Sequence, residues 1–107
     1  MTEANLEYEG SITLDQSLME AAGLVENERV DIWNVTRGTR ISTYVMAPAE
    51  PGSGMVCING AAAHHMSVGD IVIIASFAMM DIKETKKHKP LKVLVTPGNQ
   101  VKVVKHV

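Results

Sequence analysis

Short runs rich in valine, isoleucine and threonine, separated by turns that contain glycine, proline or asparagine, recur along this chain of 107 residues. Such runs are typical of β-strands, and their close spacing is typical of small sandwiches and barrels. The long intervening helices that a parallel βαβ sheet requires are missing. We therefore predict a mainly β fold, a small β-barrel with one or two short helices.

The same pattern predicts the order of the elements. Asp15 is suited to cap a short helix, and Gly23 is suited to end it. Turns at 36–39 and 97–100 each join two strand-like runs into a hairpin. A near-continuous apolar run at 71–77 predicts a strand that is buried on both faces. The predicted strands run from Ser11 to Leu14, Arg29 to Val35, Arg40 to Val45, Met55 to Ile58, Ile71 to Phe77, Leu91 to Thr96 and Val101 to Lys105.

The length of the chain limits the number of domains, and its apolar stretches indicate whether it can cross a membrane. A chain of 107 residues has room for a single domain, 1–107. Its polar, acidic beginning lacks the basic and apolar pattern of a signal peptide. The longest apolar stretch, Ile71 to Met80, is about half of the ~20 residues that a membrane-spanning helix needs. We expect a soluble protein that does not enter a membrane.

Charge and cysteine content narrow the function further. Ten basic and twelve acidic residues give a net charge of -2, which argues against general nucleic-acid binding. The basic stretch from Lys83 to Lys89 is interpreted as a solvated loop or helix face. The single cysteine, Cys57, lies among apolar neighbours and is interpreted as a small core residue in a reducing, cytoplasmic setting.

The dipeptide Gly10-Ser11 is a candidate for a covalent reaction within the chain. A serine hydroxyl can attack the preceding carbonyl carbon and convert the peptide bond into an ester. Elimination then frees Gly10 as a new C-terminus, and hydrolysis of the dehydroalanine leaves a pyruvoyl group in place of Ser11. Glycine tolerates the strained backbone that such an attack requires. Because Gly-Ser is also a common turn dipeptide, it indicates this chemistry only together with other residues.

Polar residues on the predicted strand from Arg40 to Tyr44 form a second candidate site. Arg40, Ser42 and Tyr44 share one face because strand side chains alternate, while Thr43 faces the other way. An arginine and a tyrosine on one face can bind a carboxylate and supply a proton. The alternative is an ordinary exposed strand face with a packed tyrosine. Trp33, similarly, has the alternative of filling a core or an interface.

No metal site is predicted. His64 and His65 are adjacent, so their side chains point in different directions on any regular element. The chain contains no HExxH, CxxC or Walker-type motif.

Several blocks of the sequence, taken together, carry a resemblance to a known family. They are Tyr8-Glu9-Gly10-Ser11, Asp31-Ile32-Trp33-Asn34-Val35-Thr36, Arg40 with Ser42-Thr43-Tyr44, Asn59-Gly60-Ala61-Ala62-Ala63-His64 and Val68-Gly69-Asp70-Ile71-Val72-Ile73. In order and spacing they resemble aspartate 1-decarboxylases, pyruvoyl-dependent bacterial enzymes that make β-alanine for pantothenate. The resemblance runs from about Thr2 to beyond Phe77, so it is far more specific than any single motif.

The resemblance implies a double-psi β-barrel and a homotetramer with active sites between subunits. It also implies a proenzyme that cleaves itself between Gly10 and Ser11. Ser11 would become the covalent pyruvoyl cofactor, which forms a Schiff base with L-aspartate and needs no metal. Tyr44 corresponds to the proton donor, and Arg40 corresponds to the residue that grips a substrate carboxylate.

The remaining site residues are also assigned only by this resemblance. Thr43 and the backbone of Gly60-Ala61-Ala62 correspond to substrate-binding positions, and Thr43 is also implicated in self-cleavage. Asn59 and Trp33 match residues that line the pocket, and Tyr8 lies at the cleavage site. Whether maturation is unaided or needs a helper protein is left open by the sequence.

The beginning of the chain departs from the family pattern. Family members usually start with a further strand that carries a Lys-x-His arrangement, and its lysine is expected to bind a carboxylate at the active site. This chain starts at Met1-Thr2-Glu3-Ala4 without that strand. A start codon assigned too late, a truncation and a divergent form each account for this. We favour the first, because a valine codon can serve as a start and be read as methionine.

Two other functions remain open at this stage. A small barrel of this kind can be a non-catalytic binding module, although binding alone would not require Ser11, Arg40, Thr43 and Tyr44 together. A pyruvoyl decarboxylase could also act on another acidic amino acid, such as glutamate or a sulfinate analogue, because Arg40 would serve any of them.

Overall fold

The computed structural model describes residues 3–5, 10–46, 48–60, 63 and 66–106. In these residues the fold is mainly β, as predicted, with two short helices, α1 (Gln16–Ala22) and α2 (Ile82–Lys87). The strands are β1 (Glu3–Asn5), β2 (Ser11–Leu14), β3 (Arg29–Asn34), β4 (Arg40–Tyr44), β5 (Val56–Asn59), β6 (Val72–Ala75), β7 (Leu91–Val95) and β8 (Val101–His106).

The strands of the described residues form three sheets, with the orders β1-β5-β2, β4-β3-β6 and β7-β8. Only β1 and β5 run parallel within these sheets. Two isolated parallel bridges, Ile12 with Val45 and Asp15 with Ala49, join β2 and the residue after it to the segment that follows β4. The Met46 N–H also donates to the Ile12 carbonyl at 2.8 Å. Strand β2 is therefore tied to β5 on one side and to the chain beyond β4 on the other.

One apolar core lies between the first two sheets. Ile12 and Ile58 from the first sheet and Ile32 from the second are fully buried in it. They occupy alternate positions of their strands, as expected for sheets that bury one face. The other members of the core are Leu14, Met19, Val30, Val45, Val56, Ala63 and Met66.

Helix α1 begins and ends at the residues that the sequence predicts. The Asp15 carboxylate accepts the Ser17 N–H at 2.8 Å, which satisfies a backbone donor of the first turn. Gly23 ends the helix in a left-handed conformation, with φ of 70°. Its N–H bonds to the carbonyls of Met19 and Glu20.

The same Asp15 side chain anchors a distant turn. Although it is only 1% exposed, it accepts N–H groups from Gly52 at 3.0 Å and from Gly54 at 2.8 Å. Burial works against ionisation of Asp15, but the hydrogen bonds from Gly54, Ser17 and Gly52 outweigh it and lower the pKa of this carboxyl. Asp15 thus fixes the start of α1 and the approach to β5 together.

The tip of the β7–β8 hairpin packs against this turn from its other side. The Asn99 amide donates to the Gly54 carbonyl at 2.9 Å, and the Gln100 amide donates to the Gly52 carbonyl at 3.1 Å. Gly54 has φ of 69°, and a Cβ atom there would lie 2.5 Å from the Gly98 carbonyl oxygen. Only glycine fits this position without displacing the hairpin.

Strand β6 differs from its prediction. The run at 71–77 was expected to be buried on both faces, but Ile71, Ile73 and Phe77 are 66%, 49% and 70% exposed. The reason is that only one face of β6 packs on the core, through Val72 and Ile74. The opposite face of the strand stays open in the single chain.

Three other elements complete the comparison with the sequence. Strand β1 was missed, because Glu-Ala-Asn carries no strand signal and is held by pairing with β5. The β7–β8 hairpin was predicted and is confirmed. Helix α2 contains most of the basic stretch and is exposed throughout, as a solvated helix face.

Within the described ranges no helix has the length and apolar character needed to cross a membrane.

We predict that Asp15→Asn lowers the free energy of unfolding at pH 7 by about 1–3 kcal/mol, because an amide nitrogen would face the backbone donors. A carboxyl whose native pKa is lowered stabilises the fold above its ordinary value of 3.8 and loses this effect as pH falls through the native value. Wild-type stability should therefore decline below pH 3.8, and this part of the decline should be absent from Asp15→Asn.

Thermal unfolding followed by circular dichroism between pH 2.5 and 7 measures both effects. Asp81→Asn is the matched control, because exposed Asp81 caps α2 through one hydrogen bond to Glu84 N–H at 2.7 Å. Equal losses of stability in the two variants would contradict the anchoring role of Asp15.

Candidate active site

Ser11 is buried at the first position of β2, directly after the bend at Gly10. Its side chain is 1% exposed, so its hydroxyl is shielded from bulk water. In the register of β2 against β5, Ser11 lies opposite Asn59. Directly opposed side chains of an antiparallel pair are close enough to interact.

The Asn59 side-chain amide is the centre of a polar cluster around Ser11. Its Nδ2 donates to Ser11 Oγ at 3.1 Å and to Thr13 Oγ1 at 3.2 Å, and it lies 3.4 Å from Met46 Sδ. Its Oδ1 accepts from Cys57 Sγ at 3.2 Å. Asn59 was assigned to the pocket by resemblance, and here it contacts the Ser11 hydroxyl directly.

Strand register explains why this cluster forms. Thr13 lies opposite Cys57, one pleat away from the pair of Ser11 and Asn59, so the four side chains share one face. The intervening pairs, which include Ile12 with Ile58, face the core. Sequence reasoning missed Thr13 and interpreted Cys57 only as core. The signal was present as polar residues two positions from Ser11 and from Asn59.

The predicted polar face of β4 is also present. Arg40, Ser42 and Tyr44 are exposed on one face, while Ile41 and Thr43 are half-buried on the other. Ser42 does not stand alone, because its hydroxyl donates to Asp31 Oδ1 at 2.6 Å and accepts from Arg29 at 3.3 Å. This face therefore combines cationic and acidic groups next to the tyrosine.

Trp33 lies between Arg40 and Phe77 on the same face. The Arg40 guanidinium carbon is 5.2 Å from the centre of the Trp33 ring, which is within the range of a cation–π contact. The rings of Trp33 and Phe77 have centroids 6.3 Å apart and are tilted by 47°. Trp33 thus holds the arginine over an aromatic surface and does not fill the core of the single chain.

The Thr43 hydroxyl is buried and has no hydrogen-bond partner within the described residues. Thr43 lies opposite Val30, which is part of the core. An unpaired buried hydroxyl costs about 1–3 kcal/mol of stability. Such a group calls for an explanation, and a catalytic role is one of those known.

The fold brings Ser11 near the strand that carries Arg40 and Tyr44, but it does not join their side chains. Because Ile12 bridges Val45 in parallel, the preceding residues Ser11 and Tyr44 flank the same bridge. Yet Ser11 lies in the first sheet and faces Asn59, whereas the Arg40 side chain lies on the open face of the second sheet. No hydrogen bond links the Ser11 hydroxyl to Arg40 or Tyr44 in the part of the chain that the structure describes.

The remaining predicted site residues follow β5. Gly60 is buried with φ of 63°, a conformation that favours glycine and turns the chain directly after Asn59. Tyr8, Ala61 and Ala62 lie outside the described residues. Among the described residues, no group of three or more His, Cys, Asp or Glu side chains is arranged to hold a metal ion.

Asp70 fixes the chain beyond this turn. Its Oδ2 accepts from the Asn34 amide at 2.7 Å, from Arg37 Nε at 2.8 Å and from Ser67 N–H at 2.9 Å. The hydrogen bond from Asn34 is the main reason that the pKa of Asp70 lies below its ordinary value, although burial opposes it. This carboxylate ties the turn after β3 to the segment that leads into β6.

Comparison with known proteins decides the family. The family model described as aspartate decarboxylase matches residues 1–102, almost the whole chain. The chain belongs to the aspartate decarboxylase family. This family has the double-psi β-barrel fold, which agrees with the mainly β architecture and with the parallel bridges that join β2 and the residue after it to the segment that follows β4.

Individual relatives give the same result. An aspartate 1-decarboxylase of Listeria welshimeri is 48% identical over 104 residues, which cover 97% of this chain and 81% of the relative. Aspartate 1-decarboxylases of Myxococcus xanthus and Bacillus licheniformis are each 50% identical over 101 residues, or 94% of this chain. These matches cover 77% and 79% of the two relatives.

We predict that Thr43→Val leaves the melting temperature unchanged or raises it, because the lost hydroxyl has no partner within the described residues. Thr36→Val is the matched control, since Thr36 Oγ1 accepts the Ile71 N–H at 2.9 Å. That variant should lose about 0.5–1 kcal/mol. A larger loss in Thr43→Val than in Thr36→Val would show that the Thr43 hydroxyl is needed for the fold.

Proposed function

We propose that this chain is a carboxy-lyase that converts L-aspartate to β-alanine and carbon dioxide for pantothenate biosynthesis, after cleaving itself between Gly10 and Ser11. One observation carries the proposal: Ser11 follows a glycine bend, is buried, and has an amide N–H at its hydroxyl oxygen. Membership of the aspartate decarboxylase family and relatives named aspartate 1-decarboxylase support the choice of reaction.

Self-cleavage begins with attack of Ser11 Oγ on the carbonyl carbon of Gly10. The C–N bond breaks as the C–O bond forms, and the hydroxyl proton ends on the Ser11 nitrogen. Loss of the Cα proton then breaks the Cβ–Oγ bond, so that Gly10 leaves as a carboxylate. Water hydrolyses the dehydroalanine and releases ammonia. The residues present fit a pyruvoyl group at position 11, because the buried Ser11 side chain is held beside hydrogen-bond donors rather than in bulk water.

The pyruvoyl group supplies an electron-accepting carbonyl that bonds the substrate amine and takes up the electron pair left at Cα when carbon dioxide departs. Other residues of the chain bind the substrate, return the proton and assist cleavage. Arg40 binds a carboxylate of aspartate, and its contact with Trp33 limits the rotamers that it can adopt. Tyr44 returns a proton to Cα from its phenol hydroxyl. Thr43 takes part in cleavage, which accounts for an unpaired buried hydroxyl.

Further residues complete the proposed pocket. We propose that the backbone of Gly60-Ala61-Ala62 binds substrate, that Asn59 and Trp33 line the pocket, and that Tyr8 lies at the cleavage point. For Gly60, the buried left-handed turn directly after Asn59 supports this role. Tyr8, Ala61 and Ala62 are included by family resemblance.

Assembly brings the two groups of residues into one pocket in this proposal. Arg40 and Trp33 lie on an open face beside exposed Ile73 and Phe77, so this face is suited to burial against another copy. We propose a homotetramer with its active sites between subunits.

We also propose a cytoplasmic location. The single cysteine, Cys57, has no second cysteine in the chain to pair with, which fits a reducing compartment.

Ser11→Ala tests the proposal most simply. Wild-type protein should yield a fragment that ends at Gly10 and a larger fragment with a blocked N-terminus, both seen by intact-mass analysis. Ser11→Ala should remain whole and release no carbon dioxide from aspartate, because the nucleophile is gone. Ser42→Ala is the matched control, since it removes an exposed hydroxyl from β4 and should still cleave. If the wild-type protein itself remains whole, a non-catalytic binding module would be the better account.

Tyr44→Phe separates cleavage from turnover. The variant should cleave normally but lose about 10²–10⁴-fold in kcat, which is the usual contribution of a general acid. Carbon dioxide release from aspartate, glutamate and cysteine sulfinate measures the rate and the substrate preference in the same assay. A near-normal kcat would remove Tyr44 as the proton donor, and preference for glutamate or the sulfinate would correct the substrate.

A further inference from the structure

The orientation of the Asn59 amide decides whether its N–H groups or its carbonyl oxygen face the Ser11 hydroxyl. The two ends of a side-chain amide have nearly the same shape, so its orientation is set by its hydrogen-bond partners. In one orientation, N–H groups point at Ser11 Oγ. In the opposite orientation, a carbonyl oxygen faces the hydroxyl and accepts its proton in a hydrogen bond.

Cys57 selects the first orientation, and the Thr13 hydroxyl, which can donate or accept, holds the amide in it. Cys57 Sγ donates to Asn59 Oδ1 at 3.2 Å, and Thr13 Oγ1 accepts from Nδ2 at 3.2 Å. The amide has two N–H groups, which match the oxygens of Ser11 and Thr13, with Met46 Sδ as a weaker third contact at 3.4 Å. A reversed amide would direct N–H groups at the Cys57 sulfur, a weak acceptor.

We propose that Cys57 and Thr13 are positioning residues for self-cleavage, which act through Asn59 by holding its N–H toward Ser11 Oγ. This inference rests on the proposed function, because it concerns the cleavage step of that proposal. Neither residue bonds the reacting atoms, and neither stood among the site residues assigned from the sequence. Their place is set by the β2–β5 register, which aligns Thr13 with Cys57 beside the reacting pair.

An N–H at Oγ has different effects on the two successive steps, and it favours the second. During attack it leaves the hydroxyl proton unbound by the amide, so the proton can pass to the Ser11 nitrogen. During elimination the Cβ–Oγ bond breaks, and Oγ becomes an oxygen of the departing Gly10 carboxylate. The negative charge of the leaving group develops on the atom that the N–H contacts, and a fixed donor there lowers the barrier. Elimination therefore depends on the amide orientation more than ester formation does.

The experiment follows cleavage of freshly purified, uncleaved full-length protein by intact mass, with hydroxylamine added at each time point. Hydroxylamine converts an ester at Gly10 into a hydroxamate, which reports the ester fraction separately from the finished product. Cys57→Val and Thr13→Val should each cleave about five- to tenfold more slowly than wild type and accumulate ester, because each loses one hydrogen bond of the amide. Cys57→Ser and Thr13→Ser should keep the rate within about threefold of wild type, because the first replaces the thiol donor with a hydroxyl donor and the second keeps the threonine hydroxyl.

Val56→Ala is the control for simple loss of stability. It removes core volume from β5 next to Cys57 without touching the amide. Circular dichroism melting identifies the folded variants, and if Cys57→Val does not fold, Thr13→Val decides the result. Wild-type rates in folded Cys57→Val and Thr13→Val, or equal slowing in Val56→Ala, would overturn the positioning role alone. A wild-type chain that never cleaves would overturn the proposed function and this inference together.

Discussion

The antiparallel register between β2 and β5 is the constraint on which the rest of the structure depends. It pairs Ile12 with Ile58 and Leu14 with Val56 on the core face, and Ser11 with Asn59 and Thr13 with Cys57 on the other. A slip by one residue would exchange the two faces, so apolar burial enforces the polar arrangement. The hydrophobic core thereby holds the Ser11 hydroxyl against the Asn59 amide.

Two carboxylates hold the chain around that register. Asp15 binds the turn that leads into β5, and Asp70 binds the turn after β3 to the segment before β6. Both carboxylates are buried but accept several hydrogen bonds, which is how a small domain can keep a charged group in its interior. Arg40 and Thr43, two of the residues proposed to bind substrate, lie on strand β4 and not on a surface loop.

Local sequence signals predicted the elements whose cause is local. Asp15 and Gly23 bound α1, and the turns at 36–39 and 97–100 form hairpins, because each depends on nearby backbone geometry. Strand β1 could not be predicted because it depends on pairing with β5, and the open face of β6 could not be predicted because it depends on what packs against that face. In the site, alternation predicted the shared face of Arg40 and Tyr44. The contact of Asn59 with Ser11 and the roles of Thr13 and Cys57 required the register between strands that are distant in sequence.

The central claim is that Ser11 becomes a carbonyl group that captures an amine. Reduction of the purified wild-type protein with borohydride in the presence of labelled aspartate tests it most directly. The account predicts stable label on the first residue of the larger fragment, and none when Ser11→Ala is treated in the same way. Label absent from wild type, with the polypeptide mass unchanged by borohydride, would contradict the account.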